Sequence, residues 1–129
     1  MSEEQLFSIS ELAAMFDISS RTIRYYEEIG MLSSETRESL TKQRKYTNQE
    51  RRRLKMILRG KKLGFSLQEI KEMIDLYETN PEGVEEKKRI IEYADRKLHE
   101  INEQISELQI LRDEILSYKE RYLHSKELE

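Results

Sequence analysis

The sequence predicts an all-α fold with a small β wing: a winged helix-turn-helix head followed by a long coiled-coil dimerisation helix. Three observations carry this. Short amphipathic segments with capping signals recur between residues 9 and 77. From Val84 to about His124 there is neither proline nor glycine. Apolar residues make up 36% and charged residues 38% of the 129 positions, against roughly 45–50% and about 25% in an ordinary globular chain. That balance suits a small core joined to a solvated helix. A single proline and four glycines argue against a turn-rich β-sandwich.

Ile9 to Ile29 read as two short helices around a tight turn. Ser10 caps the first, and Leu12, Ala13 and Phe16 give it an apolar face. Asp17-Ile18-Ser19 breaks the pattern. Ser19 or Ser20 caps the second helix, in which Ile23, Tyr26 and Ile29 recur every three residues. Gly30 fits the position just past a helix end, where a left-handed backbone is needed. Two short helices joined in this way make a helix-turn-helix, although many helical hairpins bind nothing. Leu32 to Tyr46 is polar and reads as a loop or short two-stranded wing. Thr47-Asn48-Gln49-Glu50 is a capping box opening a third helix with Leu54, Ile57 and Leu58 as its stripe. Gly60 and Gly64 bracket a basic connector, Lys61-Lys62-Leu63. Ser66-Leu67-Gln68-Glu69 is a second capping box, opening a fourth helix with Leu67, Ile70, Met73, Ile74 and Tyr77 inward.

Asn80-Pro81-Glu82-Gly83 is the clearest boundary, because proline and glycine both disfavour helix there. The expected organisation is a DNA-binding head over residues 1–79, a linker at 80–83, a dimerisation helix at 84–124 and a tail at 125–129. At ~1.5 Å per residue the long helix spans roughly 60 Å. Ile91, Ala94, Leu98, Ile101, Ile105 and Leu108 alternate in steps of three and four, which is a heptad seam. Leu111, Ile115, Tyr118 and Tyr122 continue the stripe after a three-residue slip. A lone helix cannot bury such a stripe, and this chain has no second long helix to cover it. The expected partner is a second copy.

The overall charge of −3 hides an asymmetry. Between Ile18 and Lys62, 13 bases face 5 acids, a net +8, whereas residues 78–129 carry 9 bases and 14 acids, a net −5. A basic working surface followed by an acidic spacer is the simplest reading. On a helix entering the major groove, Arg21 and Arg24 can pair with guanine edges or phosphates, and Tyr25 can donate to a phosphate. Thr22, in the same segment, is assigned to the DNA-binding set with them. One flank is a basic loop with Arg37, Lys42, Arg44, Lys45 and Tyr46, and the other carries Lys61 and Lys62. A helix between two basic loops can hold a groove and both backbones beside it. Arg51, Arg52 and Arg53 point about 100° apart and cannot share one face. At most one or two of them reach DNA, and a solvated face is the alternative.

Three motifs together resemble the MerR family of bacterial transcription regulators: Phe7-Ser8-Ile9-Ser10-Glu11-Leu12-Ala13, Arg21-Thr22-Ile23-Arg24-Tyr25-Tyr26-Glu27-Glu28-Ile29-Gly30-Met31-Leu32, and Leu63-Gly64-Phe65-Ser66-Leu67-Gln68-Glu69-Ile70. The match runs over about the first 77 positions. The resemblance implies a winged helix-turn-helix, an antiparallel coiled-coil dimer, and a pseudo-palindromic operator inside a promoter whose spacer is too long. It further implies that the regulator distorts the DNA so that RNA polymerase engages. Carried over residue by residue, it puts Arg24 and Tyr25 of the recognition helix, Arg44 and Tyr46 of the first wing, and Lys61 of the second on DNA. One departure stands out: Lys42-Gln43 replaces the glycine-tyrosine pair that usually precedes the wing arginine. Residues 54–65 are similar to the branch controlling branched-chain amino-acid and fatty-acid degradation.

Absence of cysteine excludes disulfides, thiolate metal sites and thiol redox chemistry. His99, with Asp95 and Glu103 a turn away on either side, has metal-ligand spacing, but ordinary i,i+4 surface pairing explains it more simply. No cofactor is expected. A small-molecule effector would use a groove near Met73, Tyr77 and Tyr93, three residues that equally suit a core. Family members that bind bulky drugs carry a further domain for which this chain leaves no room. No apolar run reaches membrane-spanning length and no secretory leader is visible, so a soluble cytoplasmic protein is the default. No nucleophile–base pair or phosphate-cradling loop points to an enzyme. A coiled-coil adaptor would explain the heptads but not the +8 region.

Overall fold

A computed structural model describes residues 5–36 and 44–125. In chain order it contains strand β1 (Phe7–Ser8), helices α1 (Ile9–Phe16) and α2 (Ser20–Glu28), strands β2 (Glu35–Thr36) and β3 (Arg44–Tyr46), and helices α3 (Asn48–Lys62), α4 (Leu67–Thr79) and α5 (Val84–Leu123). The chain divides into a compact unit up to Lys87 and a second from Lys88 onward. Among the described residues no helix is long and apolar enough to cross a membrane.

In the first unit the serines decide where helices begin. Ser8, not Ser10, caps α1: its hydroxyl accepts from the Glu11 N–H at 3.0 Å, and Glu11 accepts in return from the Ser8 N–H at 3.1 Å. This reciprocal bonding holds the Glu11 carboxyl below the usual carboxylate range. The correction has a tertiary cause. Phe7 and Ser8 pair antiparallel with Tyr46 and Lys45, so β1 joins the expected two-stranded β2–β3 wing as a third strand, in the order β1-β3-β2. Pairing commits Ser8 to extended backbone, so helix starts one residue later.

After α1, Asp17 adopts the left-handed conformation at φ 54° and its N–H returns to the Ala13 carbonyl. Ser19 then caps α2 through the Thr22 N–H at 3.1 Å. At the far end of α2, the Gly30 N–H bonds Glu27 O and the Met31 N–H bonds Tyr26 O. With Gly30 at φ +79°, this is a Schellman ending. It turns the chain inward, so that Met31 and Leu32 are buried while Ile29 stays exposed. The expected Ile23-Tyr26-Ile29 core row is therefore Ile23, Tyr26 and Met31.

Helix α3 continues through Lys62, so the predicted connector Lys61-Lys62-Leu63 is its last turn and its cap. Gly60 sits inside the helix because α4 presses against it: a Cβ there would lie 2.7 Å from Ile70 Cγ1. The second Schellman ending joins Gly64 N–H to Lys61 O and Phe65 N–H to Gly60 O. Ser66 and Glu69 then form the predicted capping box of α4. At α3, Thr47 caps as predicted, but Glu50 reaches back instead to Ser33, accepting from its N–H at 2.9 Å and its hydroxyl at 3.3 Å. The core gathers Phe7, Leu12, Ile23, Tyr26, Leu54 and Ile57 with Ile70 and Ile74 of α4. Tyr77, expected inward, is exposed.

The second unit holds α5 from Lys88 onward. Ile91, Leu98, Ile101, Ile105, Leu108, Leu111 and Ile115 are all exposed along it, as is Ala94.

Candidate nucleic-acid interface

Helix α2 buries Ile23 and Tyr26, and the 3.6-residue period sends the intervening residues outward. Arg21, Arg24 and Tyr25 are exposed, with Arg21 one turn before Arg24 and Tyr25. Thr22 is half-buried, and its hydroxyl lies 2.9 Å from that of Ser19 in the N-terminal cap. It stabilises the helix start.

Strand β3 supplies the flank. Arg44 Nη1 donates to Glu27 Oε2 at 2.8 Å, tying the strand to α2 across seventeen positions. The pairing uses one donor of a five-donor guanidinium that is still 49% exposed, so Arg44 keeps donors for a second anion. Lys45 is half-buried on the same strand. Tyr46 is corrected: at 0% exposure it is a core residue, and its hydroxyl cannot reach a phosphate. Burial pushes that hydroxyl's pKa above its usual value, and the nearby Glu27 carboxylate adds to the effect. Among the described residues, neither Tyr46 Oη nor Glu27 Oε1 meets a partner at hydrogen-bond geometry. Lys61 and Lys62 are exposed at the end of α3. Arg37 and Lys42, also assigned to the interface, lie outside the described residues, as does the Lys42-Gln43 departure.

The arginine triplet separates as the 100° rule requires. Arg53 donates to Glu78 at 2.9 Å and to Asp75 at 3.4 Å, so it braces α3 against α4 and is not available to DNA. Arg51 is held by Asn48 at 2.7 Å, and Arg52 is exposed. On α5, His99 pairs with Glu103 at 3.0 Å, the surface i,i+4 partnership. Of the proposed effector residues, Met73 is half-buried and Tyr77 exposed on α4, whereas Tyr93 belongs to the second unit, where Arg96 lies 5.2 Å over its ring. Sequence reasoning missed Glu27 and Glu50, both of whose partners lie seventeen residues away with no local signature.

Residues 7–76 match the family description "MerR HTH family regulatory protein", and residues 51–118 match "MerR, DNA binding". The chain belongs to the MerR family. It is 33% identical over 114 residues to the HTH-type transcriptional regulator CueR of Salmonella typhimurium, covering 88% of this chain and 79% of CueR. To the HTH-type transcriptional regulator ZntR of Escherichia coli it is 37% identical over 106 residues, covering 81% and 72%. Among solved structures, a MerR family transcriptional regulator from Bacillus cereus superposes with a TM-score of 0.65 at 26% identity, covering 95% of this chain and 86% of that one. The protein is thus a DNA-binding transcriptional regulator, and its relatives are regulators rather than enzymes. None of these relatives supports the narrower branched-chain and fatty-acid branch.

Proposed function

We propose that this MerR regulator works as a homodimer on a pseudo-palindromic promoter operator, with α2 in the major groove. Residues 1–79 act as the DNA-binding head, 80–83 as linker, 84–124 as the dimerisation helix and 125–129 as a tail. Arg24, Arg21, Thr22 and Tyr25 contact DNA from α2, Arg44 and Lys45 from β3, and Lys61 and Lys62 from the end of α3; Arg37 and Lys42 extend the first wing. The observation that carries this is the outward row of two arginines and a tyrosine on the second helix of a helix-turn-helix. Ile91 to Ile115 pair with a second, antiparallel copy. Distortion of the operator brings RNA polymerase into register, a small-molecule effector sets its extent, and the protein acts in the cytoplasm.

Salt tests the first step. Duplex affinity falls steeply between low and moderate salt, because each neutralised phosphate adds about −0.9 to the slope of log K against log salt. An adaptor with no nucleic-acid role would show no duplex affinity at any salt. Arg24→Ala weakens binding to a selected operator by about 1–3 kcal/mol if Arg24 reads a base. Retention of full operator affinity by this variant removes Arg24 from the interface.

A further inference from the structure

One concavity of the first unit plays no part in the DNA-facing surface just described. It has a volume of about 680 Å³ and lies between α3 and the end of α4, walled by Arg51, Arg52, Lys55, Met56, Tyr77 and Pro81. Its size falls within the roughly 300–1,000 Å³ usual for small-molecule sites. Three cations meet there, and none has a carboxylate partner among the described residues. The acid on the rim, Glu78, is already committed to Arg53 at 2.9 Å. Arg51 is held in place by Asn48. The same Arg53, bonded to Asp75 and Glu78, fixes α3 and α4 relative to each other, so the walls are preformed. Tyr77, on the same lining, is 54% exposed although its helical register marks it as apolar. Guanidinium forks suit carboxylate or phosphate oxygens, and a tyrosine face with Met56 and Pro81 suits a flat apolar body.

We propose that this concavity binds an organic anion with an aromatic or similarly flat apolar portion, and that it is the effector site of the regulator. The proposal rests on the regulatory reading for its role but not for the binding itself. The probes are 1-naphthoate, its uncharged analogue 1-naphthylmethanol, and inorganic phosphate, each titrated into the ¹⁵N-labelled full chain while amide shifts are followed. Naphthoate shifts amides of residues 49–56 and 77–80, binding at least tenfold tighter than the alcohol and than phosphate. Arg52→Gln combined with Lys55→Gln weakens naphthoate at least tenfold while the thermal melt stays unchanged. Naphthoate also changes duplex affinity at least threefold in the parent and not in the double variant.

Equal binding of acid and alcohol, shifts confined to α5, or undiminished binding by the double variant would each overturn the site. Phosphate matching naphthoate would reassign the cations to a nucleic-acid backbone and also overturn it. Binding without any change in duplex affinity removes the effector role. Duplex binding measured without naphthoate is scored separately: its absence would sink the regulatory reading while leaving the anion site standing.

Discussion

A carboxylate on a helix proposed to face DNA opposes the charge it must attract, so Glu27 needs a physical reason. The reason is Arg44, whose guanidinium it holds at 2.8 Å. Period two places Arg44 and Tyr46 on one face of β3, and that face turns towards Glu27, with Arg44 at the rim and Tyr46 beneath. A sequence that lists arginine and tyrosine in a basic wing cannot show that their shared neighbour is an acid on another element, so neither the wing's composition nor the family resemblance reveals that Tyr46 is buried. We expect a double-mutant cycle of Glu27→Ala and Arg44→Ala, followed by urea unfolding, to give a coupling of about 1 kcal/mol. Additive losses would show that the pair does not tie strand to helix. Tyr46 makes a second prediction. In the unfolded chain its hydroxyl ionises near pH 10.0, but the folded protein keeps the proton to higher pH. Above that pH the unfolded state binds fewer protons, so stability is whole below about pH 10 and falls as pH rises. Tyr46→Phe flattens the alkaline fall, with a smaller remainder from Tyr26, whose pKa burial also raises. At neutral pH it costs less than about 1 kcal/mol, since the hydroxyl it removes meets no partner at hydrogen-bond geometry among the described residues. Urea unfolding of parent and variant at neutral pH and at about pH 10.5 measures both effects; an unchanged alkaline slope would clear Tyr46 of the role.

At the scale of elements, local chemistry was legible and its exceptions are all non-local. The Ser66–Glu69 box forms as read because both of its bonds are local, between residues three apart. The Thr47–Glu50 box forms by half, because Ser33 arrives from the preceding loop and takes the carboxylate. The β1 strand was invisible: two residues are too short for a pattern, and only the pairing with β3 defines them. Gly60 shows the same limit. In sequence it reads as a boundary, whereas it lies within α3 so that Ile70 can approach. This makes Gly60→Ala informative, since two effects oppose. Alanine gains about 1 kcal/mol of helix propensity, but its Cβ would lie 2.7 and 2.9 Å from Ile70 Cγ1 and Cδ1. Overpacking of a tight core contact costs typically about 1–3 kcal/mol, so the net effect is a loss of about 1 kcal/mol. Adding Ile70→Val removes the Cδ1 atom and recovers part of it. Chemical denaturation of the three variants decides; a more stable Gly60→Ala would mean that α4 yields without strain.

At the scale of the whole molecule, the proposed dimer rests on the apolar row of α5, whose spacing can be read from one helix without tertiary information and whose side chains the single chain leaves exposed. Leu98 is 57% and Ile105 47% exposed in the single chain. At about 25 cal/mol per Å² of apolar surface removed from water, a row of such side chains drives association strongly. It fits a second α5 because the steps of three and four that expose it on one copy expose it identically on the other. Replacing Leu98 and Ile105 with glutamate places two charges per chain on the proposed seam, and burying an unpaired charge is far costlier than leaving the helix solvated. Light scattering should then report monomers, with helical circular dichroism of the first unit retained. The consequence for DNA follows from avidity. A dimer that seats one head raises the local concentration of the other, a gain of roughly 10²–10⁴. The double glutamate variant should therefore lose about that factor on a duplex carrying two half-sites, while its affinity for a single half-site stays within about twofold of the parent's per-head value. An equal loss on both duplexes would mean that the substitutions damage the head itself, and an undiminished dimer would mean that the seam lies elsewhere on α5.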